Sequence, residues 1–445
     1  MIKKTFITVL CVSVTGLSLL GQAPEPEVMT LRDCMEYAVS NSTKMRIREA
    51  EKGDARIAKR DAILSAFTPN ISASTYAYYN FGRSIDPQTN TYFNTTSFHN
   101  SYGVSAGIDL FNGFSAVNNI RISNTGLSIS ESQELQAEAD ICLAVMEAYY
   151  NVVYYSRLHD IYEEQVQTAE TALKKARRQE ELGQKGHADV VQMEADLADR
   201  EYDLTSTWNM YCEQKTALSD LMFWPIDKDL FIDTSLPEWE QEISTEEQIL
   251  SYAESNDPEV KIASLSVDKA RMELSTTKWQ LLPTLSLYAG WNTSYYTYQG
   301  ATATPFNDQF RNNAGEYVEL ALSVPIWGRL QRQSRISSKR NALKKASAEY
   351  DQKLRDIQGE VRRAIQDRDG TGAAYRQASK RSEVQEEAYN LNLKKLEQGL
   401  ISPLEFQTAN NSYLKAKADE MNSLFKYLIK SAVVKYYGGT PYINQ

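Results

Sequence analysis

From Phe114 to Leu182 the chain contains no proline and a single glycine, Gly126. From Arg329 to Gln398 it again contains no proline, with Gly359, Gly370 and Gly372 inside the run. Read as helices, each run is on the order of 100 Å long at 1.5 Å per residue. Apolar residues recur at spacings of three and four. In the first run they are Ile141, Val145, Ala148, Val152 and Tyr155, then Tyr162, Val166, Ala169, Leu173 and Ala176. In the second they are Leu343, Ala346, Tyr350, Leu354, Ile357, Val361 and Ile365. This is a coiled-coil-like seam rich in small residues, so neighbouring helices can approach closely. A glycine-containing turn ends each run (183–187 and 399–403). Return helices are expected over Asp189–Phe223 and Leu404–Tyr436.

What precedes each run is equally unusual. In "GIDLFNGFSAVNNIRI" (107–122), Ile108 and Leu110 point one way and Asp109 the other, as in a strand. The alternation stops at Gly113 and the helix begins. The stretch "LALSVPIWGRLQRQSRI" (320–336) repeats the junction at Gly328. Glycine supplies the backbone freedom for a strand that passes into a helix without a loop. Pro325 sits where the strand ends, since it cannot donate to a ladder. Gly113, Pro325 and Gly328 are therefore the predicted junction residues.

The junction is one of four paired landmarks. "YAVSNS" (37–42) matches "YAESND" (252–257); Pro69 matches Pro283; Gly113 matches Gly328; "LGQKGHADVVQ" (182–192) resembles "QGLISPLEFQT" (398–408). All four pairs are 214 to 216 residues apart and keep the same order, which defines an internal repeat. The boundaries are a leader at 1–23, a first repeat at 29–222, a linker at 223–243 placed at mid-height, a second repeat at 244–437 and a C-terminal tail at 438–445. Each repeat starts with a helix opened by a capping-box pattern, Thr30-x-x-Asp33 and Ser244-x-x-Glu247, and closed before Pro69 or Pro283. Strands of about ten residues are expected at 70–81 and 284–296, then through Val104–Leu110 and Val318–Val324. In the 284–296 strand Leu285, Leu287, Ala289 and Trp291 share one face, with Ser286, Tyr288 and Gly290 on the other. Polar loops are expected at 82–101 and 297–315.

Several function classes fall away. The leader "MIKKTFITVLCVSVTGLSLLGQA" has a basic start and a short apolar middle and reads as a secretory signal, with a retained anchor as the other reading. Leu10 before Cys11 is a poor context for lipid attachment. Cys34, Cys142 and Cys212 are odd in number and far apart, which is no disulfide framework or metal cluster, and small buried residues are expected there. The net charge of −10 gives no support to nucleic-acid binding. His99, His159 and His187 are isolated, no nucleophile elbow or phosphate loop occurs, and no catalytic residue, metal site or cofactor is predicted. "DRDGTG" (367–372) lacks the twelfth-position glutamate of a calcium loop and reads as a loosened stretch of helix.

Four strands cannot close a barrel, and open edges are not tolerated in lipid. Strands of this length do cross a bilayer when tilted, and aromatic residues gather towards their ends. Three chains would supply twelve strands, and their helices a ring of twelve below. The expected fold is mainly α with membrane β: duplicated β–β–long α-hairpin units in a homotrimer, whose 12-stranded barrel continues into a 12-helix tunnel. A periplasmic or surface coiled-coil scaffold is the alternative; it accounts for the helices but not for the strands.

The doubled unit, "LFNGF" and "PIWGR" at the junctions, and "ADVVQMEADL" and "QGLISPLEFQTANNSYL" after the turns together resemble the TolC-like outer-membrane factor family. The resemblance spans about residues 29–437. It implies a passive exit duct in the outer membrane, extending into the periplasm. The duct would dock to a periplasmic adaptor and an inner-membrane transporter, in contact with outer-membrane lipid. It further implies that the hairpin tips Leu182, Gly183, Gln184, Gln398, Gly399 and Leu400 meet the adaptor, where an ordinary helix turn is the other reading. It places an entrance carboxylate at Glu405, with Asp189 as its first-half twin. Both equally suit the positive end of a helix. A second family carboxylate falls on Thr408, and two family latch positions, an aromatic and an arginine, fall on Leu396 and Ile401. The chain departs from the family at all three.

Overall fold

The computed structural model describes residues 28–85, 90–235, 245–300, 302, 304–328 and 330–445. The leader, residues 236–244 and Arg329 lie outside the described residues, so the capping residue expected at Ser244 lies outside them too.

Both long runs are unbroken helices. Helix α3 spans Ser115–Glu181 and α8 spans Gln331–Glu397. Their return partners are α4 (His187–Met222) and α9 (Pro403–Tyr437). The 367–372 stretch does not loosen α8. Gly372 instead admits a close neighbour: a Cβ there would stand 3.1 Å from the ring of Tyr427 on α9.

The opening helix of each half is two helices: α1 (Leu31–Asn41) and α2 (Thr43–Phe67), then α5 (Glu246–Asn256) and α6 (Pro258–Trp279). The break falls on the last residue of the repeated hexapeptide. Ser42 caps α2, and Asp257 Oδ1 accepts from the amides of Glu259 (2.9 Å) and Val260 (3.2 Å). A short polar side chain that satisfies free amides starts a new helix at that point. Thr30 and Asp33 form the capping box at α1, whereas α5 begins at Thr245 without a side-chain cap.

Strand β1 (Val28–Met29) pairs in parallel with β4 (Phe231–Ile232), tying the start of the first repeat to the linker. The linker runs along the middle of α3, where Tyr149 Oη donates to the Asp233 carbonyl and Arg157 Nε to that of Thr234. In the tail a 3₁₀ turn (Tyr442–Asn444) stacks Tyr442 on Tyr436 at 4.7 Å. Cys34 and Cys142 are buried in this mid-height core, and burial pushes both thiols up to about 12. Cys212 departs from expectation and is exposed on α4.

The sheet has the order β2 (Asn70–Ile85), β3 (Tyr92–Asn112), β5 (Thr284–Tyr298), β6 (Gly315–Ser323), all antiparallel. The strands are 16, 21, 15 and 9 residues long, so the first expected loop is mostly ladder. Its Ser, Thr and Asn residues read as loop by polarity, yet they alternate with aromatics and pair as far as Ile85 with Tyr92. The second loop holds a short helix, α7 (Phe306–Asn312). Phe306 and Phe310 pack on Tyr102, Trp291 and Tyr295, and the Gln309 amide bonds both the N–H and the C=O of Tyr296. That side chain stands in for a strand partner where β6 is absent.

Candidate functional site: face, junctions and tips

Register and pleat sort the sheet into two faces. One carries Ile71, Ala73, Ala77, Phe98, Val104, Ala106, Ile108, Leu285, Leu287, Ala289, Trp291, Val318, Leu320 and Leu322. The opposite face carries Ser72, Ser74, Ser97, Ser101, Ser105, Asp109, Ser286, Asn292, Ser294 and Glu319, interleaved with tyrosines. The apolar face is widely exposed: Val318 at 78%, Leu322 at 67% and Ile71 at 69%.

The two junctions differ. Gly113 has φ +64° and is followed by Phe114 at +61°; a Cβ on Gly113 would lie 2.4 Å from the carbonyl oxygen of Trp279, at the end of α6. Phe114 packs edge-on against Phe111 and Trp279. Gly328 is not in the left-handed region, and the left-handed residue of the second junction is Leu330 (φ +60°). Phe114 and Leu330, the residues directly before α3 and α8, thus share the left-handed conformation, and the junctions differ in the glycine that precedes Phe114. Ile326, Trp327 and Leu330 are exposed beside Pro325.

At the other end of the long helices both hairpins turn in the same way. Gly183 (φ +69°) donates to the Glu180 carbonyl and Gln184 to that of Gln179; Gly399 (φ +72°) donates to Leu396 and Leu400 to Lys395. This pair of bonds closes a helix on a left-handed residue, which is why glycine recurs at both turns. Leu182 and Leu400 are exposed, at 57% and 68%. Asp189 and Glu405 both occupy the third position of the return helix. Glu405 is engaged there: its carboxylate accepts from the Ser402 amide at 2.9 Å, and the Ser402 hydroxyl accepts from the Glu405 amide at 3.2 Å. Gly186 caps α4 without a side chain. Thr408 is exposed and donates to the Leu404 carbonyl.

Leu396 and Ile401 are not placed as a latch. Leu396 is buried with Leu173, Ala176, Val190, Met193, Tyr389 and Phe406, and Ile401 packs on the same cluster. The two hairpin tips thus share one apolar core. Directly above it the hairpins are joined by polar side chains that sequence reading did not single out. Gln192 donates to Gln407 at 3.3 Å; buried Arg200 donates to Asn411 at 2.7 Å and to Asp196 at 3.1 Å. Gln192 and Gln407, like Asp196 and Asn411, are 215 residues apart, so repeat-equivalent residues face one another across α4 and α9. Polar residues held at the repeat offset were the available signal.

The outer membrane efflux protein family matches residues 38–222 and 249–435, and the chain belongs to that family. It is a TolC-like protein of the outer membrane. No curated protein sequence matches the chain. The fold is similar to that of CusC (TM-score 0.76, 14% identity, 92% of both chains). It is also similar to VceC from Vibrio cholerae (0.74, 15%, 92% of this chain and 96% of that one) and to the Campylobacter jejuni CmeC channel (0.72, 15%, 98% and 94%).

Proposed function

We propose that the chain is one third of a trimeric exit duct, in which three copies close a 12-stranded barrel above a 12-helix tunnel. The observation that carries this is that sheet and helices are left open on the same two sides. In the sheet, β2 and β6 are edges. In the helical layer, α2 packs on α3, α3 on α6 and α6 on α8, while among the described residues no further helix packs on the outer sides of α2 and α8. Helix α2 buries none of its residues and exposes Ile47, Ile57, Ile63, Leu64 and Phe67. In a repeat, α8 wants against it what α3 has in α6. The next copy's α2 is the equivalent helix, and it would cover Ile326, Trp327 and Leu330. Closing the sheet the same way removes its edges and turns the apolar face to lipid, the only arrangement of strands stable in a bilayer.

On this reading residues 223–235 of the linker belt the tunnel at mid-height. The exposed tip residues Leu182, Gly183, Gln184, Gln398, Gly399 and Leu400 meet a periplasmic adaptor, which links the duct to an inner-membrane transporter. Three copies of Asp189 and Glu405 ring the periplasmic entrance, with Thr408 one turn beyond. Drugs or other solutes pass without chemistry by this chain, driven by the transporter.

The test is extraction followed by mass and conductance. The protein should resist urea and carbonate washes, leave the membrane in detergent as a trimer, and give small, long-lived conductances in planar bilayers. A monomer released by urea would end the proposal.

A further inference from the structure

The polar face of the sheet, which the duct reading turns to the lumen, is not a plain hydroxyl lining. Two of its tyrosines fill the space left by a glycine on the neighbouring strand. A Cβ on Gly107 would stand 2.8 Å from the Tyr288 ring, and one on Gly290 would stand 2.6 Å from the Tyr317 ring. Tyr288 is paired directly with Gly107, and Tyr317 with Gly290. Both tyrosines are nevertheless 41% exposed, so their rings are open to a ligand on this face. Glu319 is paired with Tyr288 and lies two residues from Tyr317 on the same face. Asp109 lies two residues from Gly107 and accepts from Ser286 at 2.6 Å. Both carboxylates are exposed. Tyr288 is thus flanked by an acid on either side. Among the described residues no lysine or arginine shares this face. Strand β2, whose copy would lie next to β6 in the trimer, brings uncharged residues to it, among them Asn70, Ser72, Ser74, Tyr76, Tyr78 and Asn80.

From this geometry we propose a lumenal site for organic monocations, a quaternary ammonium or a protonated amine, formed by Tyr288, Tyr317, Glu319 and Asp109 and repeated three times around the barrel. Exposed tyrosine rings attract a cation through the ring quadrupole, and bulky alkylated cations, being weakly hydrated, gain most. The carboxylates select charge over mere bulk. Solvent-exposed contacts of this kind are weak and quickly released, which suits a conduit. The inference rests on the duct reading for the orientation of the face.

The probe is choline, read on the detergent-solubilised full chain by saturation-transfer NMR, against its neutral carbon isostere 3,3-dimethyl-1-butanol. Choline should show transfer and the isostere far less. Glu319→Gln should weaken choline about 2- to 5-fold, as for an exposed charge contact. Tyr317→Leu should cost roughly as much, and Tyr317→Phe, which keeps the ring face, should bind like the parent. Equal binding of the isostere, or unchanged binding in both Glu319→Gln and Tyr317→Leu, overturns the site. So does binding of maltotriose that those variants leave intact, since it would make the face a sugar-stacking surface. Failure of the duct reading appears separately, as a urea-soluble monomer without conductance.

Discussion

The two halves of the chain solve the same problem with different residues. At the barrel end both halves enter the long helix through a left-handed residue, Phe114 or Leu330, but only the first has a glycine directly before it, with its backbone pressed against the end of α6. At the tip the second half buries Leu396 where the first half, one repeat earlier, has Glu180, whose carboxylate bonds His187 at 2.8 Å. The backbone path is kept because the assembly repeats; the side chains differ because each copy of the path meets different neighbours. Equivalent substitutions in the two halves should therefore have unequal effects.

The largest inequality is expected at the junctions. Gly113→Ala combines a left-handed alanine with a Cβ driven into the Trp279 carbonyl, and should cost about 3–4 kcal/mol. Gly328→Ala would meet the flexible Arg332 side chain first, no nearer than 3.5 Å, at an ordinary φ, and should stay within about 0.5 kcal/mol. Thermal unfolding of the two variants side by side checks this, and equal losses would mean that the junctions are alike after all.

At the tips, Leu396→Ala empties a buried position and should cost about 2–4 kcal/mol, whereas Glu180→Ala should cost less than about 1 kcal/mol. Limited proteolysis at the 398–402 turn reads local opening directly. A smaller contrast lies one turn on. Ser402→Ala removes the capping box and should cost about 1 kcal/mol, while Asp189→Ala loses only a dipole contact of a few tenths. If Glu405 also rings the entrance, Glu405→Ala changes channel block by multivalent cations whereas Ser402→Ala does not. An identical block profile in the parent and Glu405→Ala would leave Glu405 a capping residue.

These contrasts show what was legible in the sequence. The long helices, turns and junctions were, because prolines, glycines and a 3/4 apolar spacing record them locally. The break at Ser42 and Asp257 was visible only as a repeated hexapeptide, since a polar residue inside a helix-like pattern does not announce that it caps the next helix. The upper halves of β2 and β3 were hidden because their alternation is carried by Ser, Thr, Asn and aromatic residues, not by aliphatics. The tip core at Leu396 and Ile401 was read through family positions as a missing latch. Only packing shows that those residues bind the two hairpins by burial, with the Arg200–Asn411 contact above them.

The smallest effect lies where the halves meet. Glu138 from α3 and Asp257 at the start of α6 line one cavity with Tyr252, Tyr436, Tyr437 and Tyr442. Burial raises both carboxyl groups above their usual values, reinforced at Glu138 by Glu134 and opposed at Asp257 by its bond from the Val260 amide. An acid whose folded pKa is raised holds its proton better folded than unfolded, so stability falls as pH rises from the ordinary carboxyl range, near 4, through the raised values. Asp33 and Asp233 act oppositely. Hydrogen bonds from Thr30 and from the Ser235 amide lower them, so their contribution is present above 3.8 and is lost on acidification below it. Thermal stability should hold or rise slightly from pH 7 to about 5, then fall below about 4. Glu138→Gln, which carries no charge to bury, should raise the midpoint at pH 7 by about 1 °C and leave it unchanged near pH 4. A gain at both pH values would assign the effect to packing, and a loss at pH 7 would show that the carboxylate is matched by a charge from the neighbouring half.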